Sequence, residues 1–256
     1  MRDLNVSLVQ CELAWEKPED NRAQIGEIID SLGPTDLIVL PEMFTTGFSM
    51  KALANLEPAS GGATQAWMQD IANRKGCAVT GSIATQYNDK AYNRMLFATK
   101  DAIWHYDKKH LFAYAGEHKR YASGNERVIV EYQGWRICLQ VCYDLRFPVF
   151  CRNQNDYDLL LFVANWPDTR SLHWRTLLQA RAIENQACVV GVNRVGSDAN
   201  GLNYQGDSLA ISPDGTVILD CGNKKNAAQV SLSGADLQRY RQAFPFQSDA
   251  DPFQLL

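Results

Sequence analysis

Three residues, Glu42, Lys108 and Cys142, each lie at a strand-like end or in an adjoining turn. Cys142 closes the run Trp135–Val141, and Tyr143-Asp144-Leu145-Arg146-Phe147-Pro148 follows at once. A sulfur placed there is held rigidly from behind and faces an open edge, which suits a nucleophile. Cys138, mid-run with apolar neighbours, reads instead as a small core residue, as do Cys11, Cys77, Cys188 and Cys221. Glu42 ends Asp36-Leu-Ile-Val-Leu-Pro-Glu42, where partial desolvation would raise its proton affinity and make it a general base; the alternative is a solvated loop glutamate. Tyr106-Asp-Lys108-Lys109-His110-Leu111 puts two lysines beside a histidine. A fixed ammonium stabilises a developing oxyanion, although such a run alone is as readily a solvated basic turn. Taken together, in the order Glu, Lys, Cys, the three supply what acyl transfer through a thiol needs: a base, a positive partner for the oxyanion and a nucleophile. A Cys–His pair stays open only through His173.

The elements that must position these groups read as an α/β fold. Strand signals cover Leu37–Leu40, Cys77–Ile83, Val128–Tyr132, Ile137–Val141, Leu159–Ala164 and Cys188–Val192, several continuously apolar as for strands covered on both faces. Between them, Pro18–Leu32 carries Ile25, Ile28, Ile29 and Leu32 on one helical face and ends at Gly33-Pro34. Ala63–Lys75 carries Ala63, Ala66, Trp67 and Ile71 before Gly76. A third helix, capped by Ser171, has Trp174, Leu177, Ala180, Ile183 and Ala187 as its expected buried side. No linker or short repeat interrupts the chain, so residues 1–256 read as one domain. The stretch from Ala243 to Leu256, with its aromatics and prolines, reads as a surface tail lying along a partner subunit.

A chain that is 46% hydrophobic and 21% charged, with a net charge of −4, carries no electrostatic footprint for nucleic acid or an anionic membrane. No apolar run reaches the length of a membrane span, and the start reads as a first strand rather than a signal peptide. Seven cysteines, an odd number set in apolar runs, suit the reducing cytoplasm better than a disulfide framework. There is no Cys-x2-Cys pair or histidine repeat, so no metal site is expected.

The three motifs together resemble the nitrilase, or carbon–nitrogen hydrolase, superfamily over nearly the whole chain. That family's catalytic glutamate follows a strand in a Leu-Pro-Glu context, as Glu42 does, and its lysine lies in Lys-x-His-Leu, which matches Lys108 with Lys109 at the variable position. Its nucleophile lies in Cys-Tyr-Asp-x-Arg-Phe-Pro, matching Cys142 to Pro148, and a supporting glutamate stands seven residues before a glycine, as Glu117 stands before Gly124. Many relatives follow the Phe-Pro with a glutamate, where this chain has Val149.

The resemblance implies a four-layer αββα sandwich that pairs into homodimers and uses no cofactor. It implies that Glu42, Lys108, Cys142 and Glu117 form the catalytic set and that the backbone N–H of Tyr143 joins the oxyanion site. Tyr143 after the nucleophile favours amides over nitriles. The stretches Val163-Ala-Asn-Trp-Pro167, Arg170–Trp174 and Ala180–Gln186 resemble bacterial omega-amidases, which remove ammonia from small 2-oxo acid amides such as 2-oxoglutaramate. Asn165, Trp166 and Arg170, just past a strand, are the expected substrate-binding residues. A carbamoylase, another short-chain amidase, or a non-catalytic member of the fold are the alternatives.

Overall fold

Along Leu37–Leu40 successive side chains leave the backbone on opposite faces, and all four are fully buried. Leu37 and Val39 join one apolar cluster, whereas Ile38 and Leu40 join another. The same division runs through Met95 and Phe97 against Leu96 and Ala98. A sheet with both faces buried must be covered on both sides, and this is the origin of the layering.

The computed structural model describes residues 1–254, apart from the side chains of Ala52, Leu53 and Asn226; Leu255 and Leu256, the end of the expected tail, lie outside the described residues. In chain order the strands are β1 (Leu4–Gln10), β2 (Leu37–Val39), β3 (Glu57–Pro58), β4 (Ala78–Tyr87), β5 (Lys90–Ala98), β6 (Ile103–Asp107), β7 (Ile129–Tyr132), β8 (Trp135–Val141), β9 (Leu159–Ala164), β10 (Cys188–Asn193), β11 (Val195–Ser197), β12 (Asn203–Gln205), β13 (Leu209–Ile211), β14 (Val217–Asp220) and β15 (Asn226–Leu232). The helices are α1 (Pro18–Asp30), α2 (Ala63–Lys75), α3 (Pro148–Cys151), α4 (Ser171–Asn185) and α5 (Gly234–Ala243). One sheet runs β15-β1-β2-β4-β5-β6 with β3 beside β4; the other runs β14-β13-β10-β9-β8-β7. Their inner faces share one core, in which Val6, Val39 and Phe97 of the first sheet join Ile137 and Leu139 of the second. Helices α1 and α2 cover the outer face of the first sheet through Ile25, Ile29, Met68 and Ile71, and α4 covers the second through Trp174 and Leu178. The result is the expected αββα order. Each fully buried Val, Leu or Ile contributes roughly 1.5–3 kcal/mol to it.

The helix faces differ in detail from the sequence expectation. In α4 the buried residues are Trp174, Leu178, Arg181, Ala182 and Asn185, while Ile183 is exposed. Steps of three residues fall short of a full turn by about 60° each, so by Ile183 the stripe drawn from Trp174 has rotated to the opposite side. In α2 the buried set is Thr64, Gln65, Met68, Ile71 and Ala72, and Ala63 and Ala66 face outward. Ser171 is the first residue of α4 rather than its cap, and its hydroxyl donates to Asp207 at 2.6 Å. Gly191 permits α4 to lie close on β10, because a Cβ there would meet Leu178 at 2.6 Å and Trp174 at 2.8 Å.

β5, β6 and β11 to β15 were not among the strands read from the sequence. Their ladders rest on pairing: β5 matches β4 over nine residue pairs, from Val79↔Ala98 to Tyr87↔Lys90. The tail after α5 lies against its own chain, where Gln186 Nε2 donates to the Phe244 carbonyl at 2.6 Å and Gln247 Nε2 to that of Glu184 at 3.1 Å. Among the described residues no helix is long and apolar enough to cross a membrane.

Candidate active site

Glu42 follows β2, Lys108 follows β6, Cys142 follows β8 and Asn165 follows β9. All sit beyond the carboxyl ends of strands, where an open α/β sheet leaves a crevice. The folding of each end is specific. Past β2 the chain turns at Met43, whose φ of 47° is held by Ser82 Oγ accepting the Met43 N–H at 2.9 Å. Past β8 it turns at Cys142, also with φ 47°, at the head of the 3-10 turn Cys142–Arg146. A positive φ at a non-glycine residue is strained and persists only where neighbours over-determine it.

Asp144 does that for Cys142. Its buried carboxylate accepts from Val141 N–H (2.9 Å) and Tyr106 O–H (2.7 Å) on one oxygen. The other oxygen takes His110 N–H at 2.9 Å and lies 2.7 Å from His110 Nδ1. The elbow is thus tied to the β6 segment that carries Lys108, and the His110 ring stacks on Phe147 with centroids 3.8 Å apart.

Lys108, not Lys109, enters the cluster. Its fully buried ammonium donates to Glu42 Oε1 at 2.9 Å and to Glu117 Oε2 at 2.9 Å. Burial alone would strip its proton, but the Glu117 and Glu42 carboxylates outweigh that and raise its pKa. Glu117 is raised by burial first, against the pull of Lys108. It is fixed by Phe112 N–H at 2.5 Å. Gly124 is required by close approach: its N–H donates to the Lys108 carbonyl at 3.0 Å, and a Cβ would overlap the Asp107 carbonyl oxygen. The Cys142 thiol is pushed well up by burial first and then by Glu42, with Lys108 opposing. It therefore rests as a neutral thiol facing a carboxylate, which is the starting state for general-base activation.

Asn165 holds Glu42 in two ways. Its N–H donates to Glu42 Oε2 at 2.8 Å, and its side-chain Nδ2 to the Glu42 carbonyl at 2.6 Å. Expected as a substrate contact, it lines the pocket and also fixes Glu42, with its Oδ1 left without a hydrogen-bond partner. Cys142, Tyr143, Asn165, Trp166 and Arg170 line one pocket together with Arg146. Trp166 is nearly buried and donates from Nε1 to the Arg170 carbonyl at 2.8 Å. Arg146 lies 4.6 Å over the Trp166 ring and 3.2 Å from His173 Nδ1, and Arg170 lies 5.7 Å over Phe112. Neither arginine has an acidic partner among the ion pairs of the described residues. Burial and then the charge of Arg170 lower the pKa of Arg146. Two guanidinium groups without an acidic ion-pair partner among the described residues stand beside the thiol, between aromatic walls, an arrangement with the charge and geometry to bind a small anion. His173 thus turns towards Arg146.

Four residues of this site carried no assigned role in the sequence reading: Asn93, Asp144, His110 and Arg146. The last three fall inside the quoted motifs, where their polarity was visible. Asn93 had a different signal. It lies on the strand face of Ala91, Met95 and Phe97, a polar residue in an apolar row.

Residues 5–243 match the family model described as carbon–nitrogen hydrolase. The chain is 47% identical over 257 residues to the omega-amidase YafV of Escherichia coli K12, with 100% of each covered. It is 32% identical over 250 residues to a 2-oxoglutaramate amidase of Bacillus subtilis, covering 95% of this chain and 96% of that one. The crystal structure of XC1258 from Xanthomonas campestris, a CN-hydrolase superfamily protein with an arsenic adduct in its active site, superposes with a TM-score of 0.97 at 47% identity over 100% of both chains. Nit3 of Saccharomyces cerevisiae shares the fold at a TM-score of 0.85 and 22% identity, over 95% of each chain.

Proposed function

The chain belongs to the carbon–nitrogen hydrolase family, and from that premise we propose that it is an omega-amidase, cleaving the terminal amide of a small 2-oxo acid amide of the 2-oxoglutaramate kind. The observation that carries the substrate class is the pair Arg146 and Arg170, unneutralised and lining the pocket that holds Cys142. A substrate with a carboxylate at one end and an amide at the other would span the two. Support also comes from the omega-amidase and 2-oxoglutaramate amidase among the relatives.

In the proposed reaction Glu42 accepts the thiol proton as Cys142 Sγ attacks the amide carbon. The Lys108 ammonium and the Tyr143 N–H stabilise the tetrahedral oxyanion. Glu42 returns the proton to the departing nitrogen, ammonia leaves, and a thioester remains on Cys142. A water then gives its proton to Glu42, attacks the thioester carbonyl and releases the acid and the thiol. Glu117 keeps Lys108 in place through both halves. We place this reaction in the cytoplasm, in keeping with seven unpaired cysteines.

The test is ammonia release over a panel of 2-oxoglutaramate, a carbamoyl amino acid and an uncharged short amide. The 2-oxo acid amide should be hydrolysed fastest, and Cys142→Ala should lower its turnover by about a thousandfold or more. Faster cleavage of the carbamoyl amino acid would make the protein a carbamoylase on the same residues. Equal rates for wild type and Cys142→Ala would remove Cys142 as nucleophile.

A further inference from the structure

In this site two buried carboxylates share one ammonium, since Glu42 and Glu117 both accept from Lys108 Nζ. With all three ionised the cluster is net negative in a place shielded from water. Such crowding drives one carboxylate to keep a proton. A protonated Glu42 could not receive the Cys142 proton.

Asn93 stands between the two carboxylates. Its Nδ2 donates to Glu42 Oε1 at 2.8 Å and to Glu117 Oε1 at 3.1 Å, the same two oxygens that Lys108 reaches. Turned the other way, the amide would set its own oxygen against both carboxylates, so the partners decide its orientation. Asn93 is fully buried, and its backbone carbonyl accepts the Lys108 N–H at 3.0 Å. The other groups facing the cluster are the Cys142 thiol and the Tyr121 phenol, with Glu16 beyond Tyr121. Tyr121 donates to the Ser49 carbonyl instead, at 3.1 Å. The remaining donors, Asn165 N–H and Phe112 N–H, go to the Oε2 atoms.

We propose that Asn93 is a positioning residue that keeps Glu42 and Glu117 ionised together, leaving Glu42 ready to take the Cys142 proton. The amide gives each carboxylate a hydrogen bond that only the ionised form uses fully, and it adds no charge that would hold Glu42 shut. This inference rests on Glu42 being the base in the reading above.

The experiment measures alkylation of Cys142 by iodoacetamide, read by peptide mass from about pH 5 to pH 9, which needs no knowledge of the substrate. In wild type the rate should rise and then level off, as expected when a neighbouring base takes the thiol proton. In Asn93→Leu the midpoint should move up by about one pH unit, lowering the rate at pH 6 relative to pH 8 several-fold. Asn93→Ser, which retains one donor, should fall between. If both variants lose the same factor at every pH, Asn93 is merely structural and the inference fails. Should Asn93→Leu not fold, a wild-type midpoint in Asn93→Ser alone overturns it. A wild-type rate that climbs without levelling off removes Glu42 as base, and the inference falls with that reading.

Discussion

Burial acts first on both Lys108 and Cys142, and the same neighbour, Glu42, bears on each. Glu42 raises the proton affinity of both the ammonium and the thiol, so in the proposed reaction the thiol proton moves during attack rather than before it. Glu117 has a cost for the fold. Its folded pKa is raised, chiefly by burial, so its contribution to stability is full below the unfolded value and is lost as pH rises through the folded value. Glu117→Gln keeps the shape and removes that loss; in urea melts at about pH 5 and pH 8 the variant should lose less stability between the two than wild type. Arg146→Ala and Arg170→Ala should each raise KM for a carboxylate-bearing amide by about tenfold or more, from the loss of a charge-assisted bond. Neither should change kcat/KM for an uncharged amide as much, and an equal loss on both substrates would detach these arginines from carboxylate binding. At this scale Glu42, Lys108 and Cys142 were legible in the sequence only together, because each motif alone is ambiguous and their order and intervals are not. Arg146 was hidden, because nothing local reveals that an arginine has no acidic partner.

The elements act by setting strand ends against each other. The elbow at Cys142 and the segment after β6 are joined through Asp144, and the β6 segment is joined to the Tyr121–Asn125 loop through Gly124. Gly124→Ala should therefore displace Lys108 and cost kcat/KM at least about tenfold, while far-UV circular dichroism stays that of the wild type. Unchanged kinetics would show that the loop gives way without moving the lysine. Strands covered on both faces were legible as continuous apolar runs. The helix faces were legible only roughly, since Ile183 belongs to the run of apolar residues in α4 but not to its buried stripe.

Across the whole molecule, one face of α4 bears Leu172 and Ile183, exposed to 74% and 47%. About three turns apart, they lie on the same side of the helix. We propose that a second copy covers this face, with the tail after α5 nearby. Sedimentation velocity at tens of micromolar should give a dimer for wild type and a monomer for the Leu172→Glu/Ile183→Glu double variant. A wild-type monomer would end that proposal. By itself the sequence determined an α/β fold with covered sheets, because continuous apolar runs must be buried on both faces, and its motifs in the order Glu, Lys, Cys singled out Glu42, Lys108 and Cys142; the four-layer order came from the family resemblance. Only the tertiary structure decided what those groups meet. The meetings of Asn93 with both glutamates, of Asp144 with Tyr106 and His110, and of Arg146 with Arg170 join residues brought together by the fold, and hydrogen bonding and charge act through space rather than along the chain.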